Sequence, residues 1–213
     1  MNIIFQLQLF ALVIFLCIVM MNIAKKNTIL IFAYLIQSLM LVAIMGIKSY
    51  HEMSFEIGIV TIILLIIKVI IAPQLLLRII KQHKANISAT TYLNVPMTLG
   101  CLVILSIFAQ SDVFSPFTAL TPLLRVLLIG GMLMSIFFTI NRKGAISQII
   151  GILSLENCIF TFGYFLGLQQ SATLEIGMLF DVFFWIIISS IFVRTIIKHF
   201  GSIDVTQLRE LKK

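Results

Sequence analysis

The stretch IGIVTIILLIIKVIIAPQLLL, residues Ile57–Leu77, decides the fold class of this chain. Its only ionisable residue is Lys68, near the centre of the stretch. At a rise of about 1.5 Å per residue, a helix of this length crosses a hydrocarbon core of about 30 Å. The stretch therefore predicts a transmembrane helix that carries a charge at mid-membrane.

The composition of the whole chain agrees with a membrane protein. Of its 213 residues, 61% are hydrophobic and 11% are charged, and the mean hydropathy is +1.15. Soluble domains carry about 25% charged residues, so a soluble fold is excluded. The formal net charge of +7 is compatible with a nucleic-acid partner. We do not expect one, because the basic residues fall in short clusters between apolar runs, where they act as topology signals.

Seven apolar runs predict an all-α integral membrane protein of about seven transmembrane helices, because lipid forces every backbone polar group to bond within its own helix. The first run is expected to be a span and not a cleaved signal, since it is too long and no basic segment precedes it. The fourth is the shortest and is expected to begin near Tyr92. The predicted spans are Ile3–Ile23, Ile29–Ile47, Ile57–Leu77, Val95–Ala109, Ala119–Ile140, Ala145–Leu168 and Ala172–Arg194.

The basic residues predict the orientation of the chain. Of the 15 lysines and arginines, only Lys48 falls in a loop on one side, while Lys68 and Arg125 lie within spans. The other twelve share the opposite side: Lys25, Lys26, Arg78, Lys81, Lys84, Arg142, Lys143, Arg194, Lys198, Arg209, Lys212 and Lys213. By the positive-inside rule, the N-terminus is expected outside and the C-terminus in the cytoplasm.

Three ionisable residues lie deep inside predicted spans: Lys68 in the third, Glu156 in the sixth and Asp181 in the seventh. Each lies about 13–17 Å from its helix end, close to the middle of the hydrocarbon core. A charge at that depth costs roughly 2.5–3.5 kcal/mol on insertion scales, and such residues mark ion or proton pathways. We therefore interpret the three as proton-relay candidates, with Lys68 expected near Glu156 or near a carboxylate of a neighbouring subunit.

A purely structural interpretation stays open for each of these charges, since buried ionic and polar groups can also hold helices together. Three further polar residues are expected to support them. Gln37, midway through the second span, is a possible hydrogen-bonding partner for one of the charges, and Gln148 and Asn157 flank Glu156 in the sixth span. The cysteines and histidines show no metal-ligand spacing, and we expect neither catalytic residues nor a metal site.

Several of these segments resemble component E of hydrogenase-4 type, formate hydrogenlyase-like membrane complexes. The segments are Tyr34-Leu-Ile-Gln-Ser38, Lys68-Val-Ile-Ile-Ala-Pro73, Gln148-Ile-Ile-Gly-Ile-Leu-Ser-Leu-Glu-Asn157, Leu174-Glu-Ile-Gly177 with Asp181, and Phe200-Gly-Ser-Ile-Asp-Val205. The last three spans are further similar to the K subunit of respiratory complex I and the C subunit of Mrp-type antiporters. By that similarity, Glu156 and Asp181 take the places of the two membrane glutamates of the K subunit.

The resemblance implies three regions. Residues 1–113 would form a four-helix membrane region, residues 114–200 a three-helix region like the K subunit, and residues 201–213 a cytoplasmic tail. It also implies a non-redox subunit that is not catalytic alone and holds no cofactor, in the plasma (inner) membrane of a prokaryote. The expected partners are antiporter-like membrane subunits, an anchor like the complex I H subunit, and peripheral hydrogenase-like subunits.

Two other classes of function stay open from the residues alone. One is a small stand-alone transporter whose charges bind a substrate, although no internal repeat and no paired broken helices support it. The other is a structural or assembly subunit whose charges only pair with each other.

Overall fold

A computed structural model describes residues 3–53, 55–82, 89–114 and 120–166 of the protein. Within these ranges the fold is all-helical and no strand forms, which confirms the predicted class. Two π-helical segments, Leu65–Ile71 and Val126–Gly130, join α3 to α4 and α6 to α7. The α-helices are α1 (Ile3–Ile23), α2 (Asn27–Glu52), α3 (Phe55–Leu64), α4 (Ala72–Gln82), α5 (Val95–Phe108), α6 (Pro122–Arg125), α7 (Gly131–Asn141) and α8 (Ala145–Phe165).

Five helical stretches in the described ranges are long and apolar enough to cross a membrane. They match the first, second, third, fifth and sixth predicted spans: Phe5–Ile23, Asn27–His51, Ile57–Arg78, Pro122–Asn141 and Ala145–Phe165. The fourth predicted span forms a shorter helix, α5, of 14 residues with Pro96 in its first turn. Its length of about 21 Å falls short of a hydrocarbon core of about 30 Å. The seventh predicted span, with Asp181, lies outside the described residues.

Helix α1 has one side that packs inside the bundle and one side that faces outwards. The buried side, which includes Ala11 and Ile18 at 1% exposure each, packs against the other helices. Side chains of both faces are apolar, as expected of a helix that lies between protein and lipid. The outward face carries large exposed apolar side chains at helical spacing: Phe5, Leu9, Leu12, Leu16 and Met20.

Helix α2 lies at the centre of the described bundle. It packs against α1, α3, α4, α8 and the first π segment. Side chains spread along its length, from Leu30 and Tyr34 to Leu41 and Ile44, are completely buried. Fully buried polar residues of this helix, such as Ser38, therefore take partners from neighbouring helices.

The π segment Leu65–Ile71 has a cause in the sequence. Pro73 lies two residues after its end and has no N–H, so it cannot bond to the carbonyl of Val69. Its ring also crowds that carbonyl, and widening the preceding turn relieves the clash. Single π turns of this kind are frequent at functional sites, and this one contains Lys68.

Arg142 fastens the ends of several helices together. Although the sequence suggested an interfacial topology signal, its side chain is only 1% exposed. The guanidinium donates hydrogen bonds to the carbonyls of Met21, Ala24 (2.8 Å) and Ala89 (2.9 Å), and it lies 4.7 Å from the Phe138 ring. Burial lowers its pKa to about 10, so it stays charged at neutral pH. It thereby satisfies carbonyls that the C-terminus of α1 leaves without intrahelical donors.

Two of the basic loops lie side by side at one end of the bundle, joined by the segment that precedes α5. The N–H of Ala89 donates to the carbonyl of Lys25 at 2.7 Å, which ties the 89–94 segment to the loop between α1 and α2. On its other side, Thr91 pairs with Arg142 in an isolated antiparallel bridge. The Lys143 ammonium lies 5.1 Å from the Tyr92 ring. Two of the predicted basic clusters, at Lys25 and at Arg142–Lys143, therefore lie near one another in space.

Close packing of α7 against α8 depends on Gly151. A Cβ atom at this position would lie 2.8 Å from Cδ1 of Phe138 and would collide with the Thr139 hydroxyl. Gly151→Ala should separate the two helices and destabilise the protein by about 1–3 kcal/mol, as overpacking does. Gly100→Ala is the matched control, since nothing lies within 4 Å of its added Cβ. The control should be neutral or slightly stabilising in thermal unfolding of the purified chain.

Removing the Arg142 side chain should have a larger effect. Arg142→Met keeps the aliphatic stem but leaves several buried carbonyls without donors, and we expect a loss of about 2–4 kcal/mol. Lys26→Met, a change at an exposed basic residue of the adjacent loop, should be close to silent. Thermal unfolding measures both variants, and equal stability of the two would contradict the assigned role of Arg142.

Candidate intramembrane ion-pair site

The structure brings together Lys68 and Glu156, two of the three proton-relay candidates. The Lys68 Nζ lies 3.5 Å from Oε2 of Glu156, and it donates a shorter hydrogen bond of 2.9 Å to Oδ1 of Asn157. The expected proximity of Lys68 and Glu156 is therefore confirmed. Asn157, expected as a supporting residue, contacts the lysine more closely than the carboxylate does.

The pair lies near the middle of two helical stretches of spanning length. Lys68 is near the centre of the helical stretch Ile57–Arg78, and Glu156 is near the centre of Ala145–Phe165. At about 1.5 Å per residue, both lie roughly 15 Å from the ends of their stretches. Their direct contact confirms that they share one depth.

Burial differs between the two partners. The Lys68 side chain is completely buried, whereas 19% of the Glu156 side chain is exposed to its surroundings. The Phe160 ring also lies 4.8 Å from the Lys68 Nζ and offers its electron-rich face to the cation. An ammonium in such a place is stabilised only through its acceptors, because desolvation otherwise disfavours the charge.

The amide of Asn157 is held in one orientation. Its Nδ2 donates to the Ser38 hydroxyl on α2 at 3.1 Å, so its Oδ1 faces Lys68. The backbone carbonyl of Asn157 also accepts a hydrogen bond from the Thr161 hydroxyl at 2.7 Å. Three helical stretches thus meet at the Asn157 amide. A chain of contacts runs from Ser38 through Asn157 and Lys68 to Glu156.

The other predicted site residues lie elsewhere. Gln37 was a possible partner for one of the charges, and in the structure its Nε2 donates to the carbonyl of Ile14 on α1, at 3.2 Å. Successive helix residues point about 100° apart, so Gln37 and the neighbouring Ser38 serve different interfaces. Gln148 donates to the carbonyl of Arg142 at 2.9 Å, about 12 Å along α8 from Glu156. Asp181 lies outside the described residues.

Sequence reasoning missed a polar stripe along α8. Its members lie at intervals of seven, three and four residues, which places them on one helix face, and each is nearly or completely buried. This periodicity was visible in the sequence and would have marked the face that turns towards the other helices. The stripe consists of Ser147, Ser154, Asn157 and Thr161.

A second group of polar side chains joins α7 to α8 beside this stripe. The Ser135 hydroxyl lies 3.3 Å from that of Ser154 and 3.7 Å from the Cys158 sulfur. These contacts are neutral and satisfy one another inside the bundle. In the described part of the chain, no three His, Cys, Asp or Glu side chains are grouped as metal ligands would be.

Fold and site together define a small polytopic helical membrane protein with a buried ion pair at mid-membrane. The chain is 27% identical over 183 residues to hydrogenase-4 component E of Escherichia coli (strain K12), and the match covers 84% of each chain. Proteins of the same name from Escherichia coli O157:H7 and Shigella flexneri match equally well. The chain is also 26% identical over 172 residues to the uncharacterized protein Rv0085 of Mycobacterium tuberculosis, covering 78% of this chain and 76% of that protein.

No family model and no solved structure matches the chain. The relatives nevertheless confirm the resemblance to hydrogenase-4 component E that the sequence motifs indicated.

The two charges should prove energetically coupled. Lys68→Met and Glu156→Gln each leave one member of a close pair behind, and the double variant removes both charges. We expect the double variant to be more stable than the sum of the single losses predicts, with a coupling energy of about 1–3 kcal/mol. Unfolding of the four proteins in one detergent measures this double-mutant cycle, and strict additivity would show that the pair does not interact.

Proposed function

We propose that this chain is a non-redox membrane subunit of a hydrogenase-like complex and that its Lys68–Glu156 pair takes part in coupled proton movement. The observation that carries the proposal is a fully buried lysine at mid-membrane with a carboxylate oxygen 3.5 Å away. The similarity to hydrogenase-4 component E over 84% of the chain supports membership of such a complex.

The geometry supports a simple proton-coupled step. When Glu156 is ionised, its charge attracts the Lys68 ammonium, and the amide of Asn157 offers a second acceptor close by. A proton that arrives at Glu156 removes that attraction, while the hydrogen bond from the ammonium to Asn157 is kept. Because Lys68 has a flexible stem, each protonation change at Glu156 shifts a buried cation between two acceptors.

Charge displacement of this kind can pass between subunits. Coulomb energies are large in a low-dielectric interior, so a shift of one charge alters the protonation of the next group along the membrane. We place Asp181 as a further link in this relay, within a region like the complex I K subunit over residues 114–200. The partners we propose are antiporter-like membrane subunits, an anchor like the complex I H subunit and peripheral hydrogenase-like subunits, in the inner membrane of a prokaryote with the basic end cytoplasmic.

A structural role is the second candidate function, and the hydrogen bonds of Asn157 favour it. One amide joins Ser38 of α2 and Lys68 of the neighbouring stretch to α8, which would hold three helices in place without any proton transfer. A neutral amide in place of Glu156 distinguishes the two roles, because it preserves size and hydrogen bonding but exchanges no proton at neutral pH.

Glu156→Gln tests the proposed function in the assembled complex. If Glu156 relays protons, the variant should assemble to normal levels and lose most of its coupled ion pumping, measured in membrane vesicles. Glu52→Gln makes the same chemical change at the last residue of α2 and should pump like the wild type. Normal assembly with unimpaired pumping in Glu156→Gln would reject the relay and leave the structural role.

A further inference from the structure

The Lys68 ammonium occupies a place that a metal cation would otherwise suit. It lies between an amide oxygen at 2.9 Å and a carboxylate oxygen at 3.5 Å, and oxygen atoms of this kind are the ligands of hard cations such as Na⁺. The bond from Asn157 Nδ2 to Ser38 holds the amide with its oxygen towards that place. The Lys68 ammonium is thus the cation that these two oxygen atoms bind.

We propose that Lys68 is the residue that sets the ion specificity of this site, by excluding Na⁺ from the oxygens of Glu156 and Asn157. The inference rests on the proposed function and adds the identity of the ion, which is H⁺. Without the ammonium, the same oxygens would form a weak site for a monovalent metal cation.

Electrostatics and space both support the exclusion. A Na⁺ ion beside the ammonium would meet a like charge a few ångströms away in surroundings of low dielectric, where repulsion is strong. A Na⁺ ion in place of the ammonium would displace the fully buried Lys68 from its two acceptors. It would also displace the ammonium from the Phe160 ring, which lies 4.8 Å from Nζ. Either arrangement leaves one buried cation poorly compensated.

A proton escapes this exclusion. It binds covalently to one oxygen of Glu156 and needs no coordination shell, so Lys68 can keep its bond to Asn157 while Glu156 is protonated. Protonation also removes the negative charge that a Na⁺ ion would require. Lys68 therefore discriminates between the two ions and does not obstruct both.

The test is Na⁺ binding by the purified full-length chain in lipid nanodiscs. The melting temperature is measured in NaCl and in choline chloride at equal ionic strength and pH 8. A ligand that binds only the folded state raises the melting temperature with its concentration. The wild type should melt at the same temperature in both salts. Lys68→Met, which keeps an unbranched chain but removes the charge, should gain a stabilisation that is specific to Na⁺ and saturates.

Two further variants locate the effect. Lys68→Arg keeps the positive charge and should remain insensitive to Na⁺, while Lys68→Met/Glu156→Gln should lose the Na⁺ stabilisation of the single variant. If Lys68→Met does not fold, Lys68→Leu replaces it. Na⁺-specific stabilisation of the wild type, or no Na⁺ response in a folded charge-free variant, overturns the proposal.

The Na⁺ test is independent of the pumping test. Melting in nanodiscs involves no partner subunit and no electron donor, so it reports on the oxygen site alone. Unimpaired pumping by Glu156→Gln would reject the proton relay while the Na⁺ results still stood. Conversely, a Na⁺-stabilised wild type together with a pumping defect in Glu156→Gln would leave the relay in place and reject proton specificity.

Discussion

A charge buried within a membrane-spanning bundle must be compensated by other groups of the protein. Lys68 is the residue at which this constraint acts most strongly. Its side chain is fully buried about 15 Å from either end of its helical stretch. Three helical stretches meet around it: the π segment that carries it, α8 with Glu156 and Asn157, and α2 with Ser38. Helix α8 supplies both acceptors of the ammonium, and α2 holds one of them in place through Ser38.

Arg142 satisfies the same constraint at the end of the bundle, with the opposite logic. There the unsatisfied groups are backbone carbonyls at the end of α1, and the buried guanidinium supplies the donors. Its fork of N–H groups suits several carbonyls at once, which a lysine could not match in geometry. Lys68 thus holds the helices together near their centres, and Arg142 holds together the loops that join them.

The parts of the fold that follow from hydropathy alone were predictable, and the parts that depend on helix rotation were not. Apolar length predicted seven spans, and five of them form helical stretches of spanning length in the described residues. Shared depth placed Lys68 near Glu156. Hydropathy does not say which way a side chain turns, so the bond from Gln37 to α1 could not be predicted from the sequence. Arg142 was assigned to the interface because its burial depends on carbonyls from residues more than fifty positions away. The π turn at Lys68 could have been anticipated from Pro73, since a proline inside a span disturbs the turn before it.

The energetics of the pair argue for a working role over a merely structural one. Replacing a buried ion pair by well-packed apolar residues is often neutral or stabilising, so stability alone gives little reason to keep a lysine at this depth. Neutral groups can provide a polar contact between helices without the free energy of desolvating a charge. Ser135 and Ser154 form such a contact between α7 and α8. The Lys68 ammonium, moreover, lies nearer to the amide of Asn157 than to the carboxylate of Glu156. A pair optimised for attraction alone would be closest where the charges are opposite. An ammonium held between a fixed neutral acceptor and a carboxylate that can take a proton is the arrangement that the proposed relay requires.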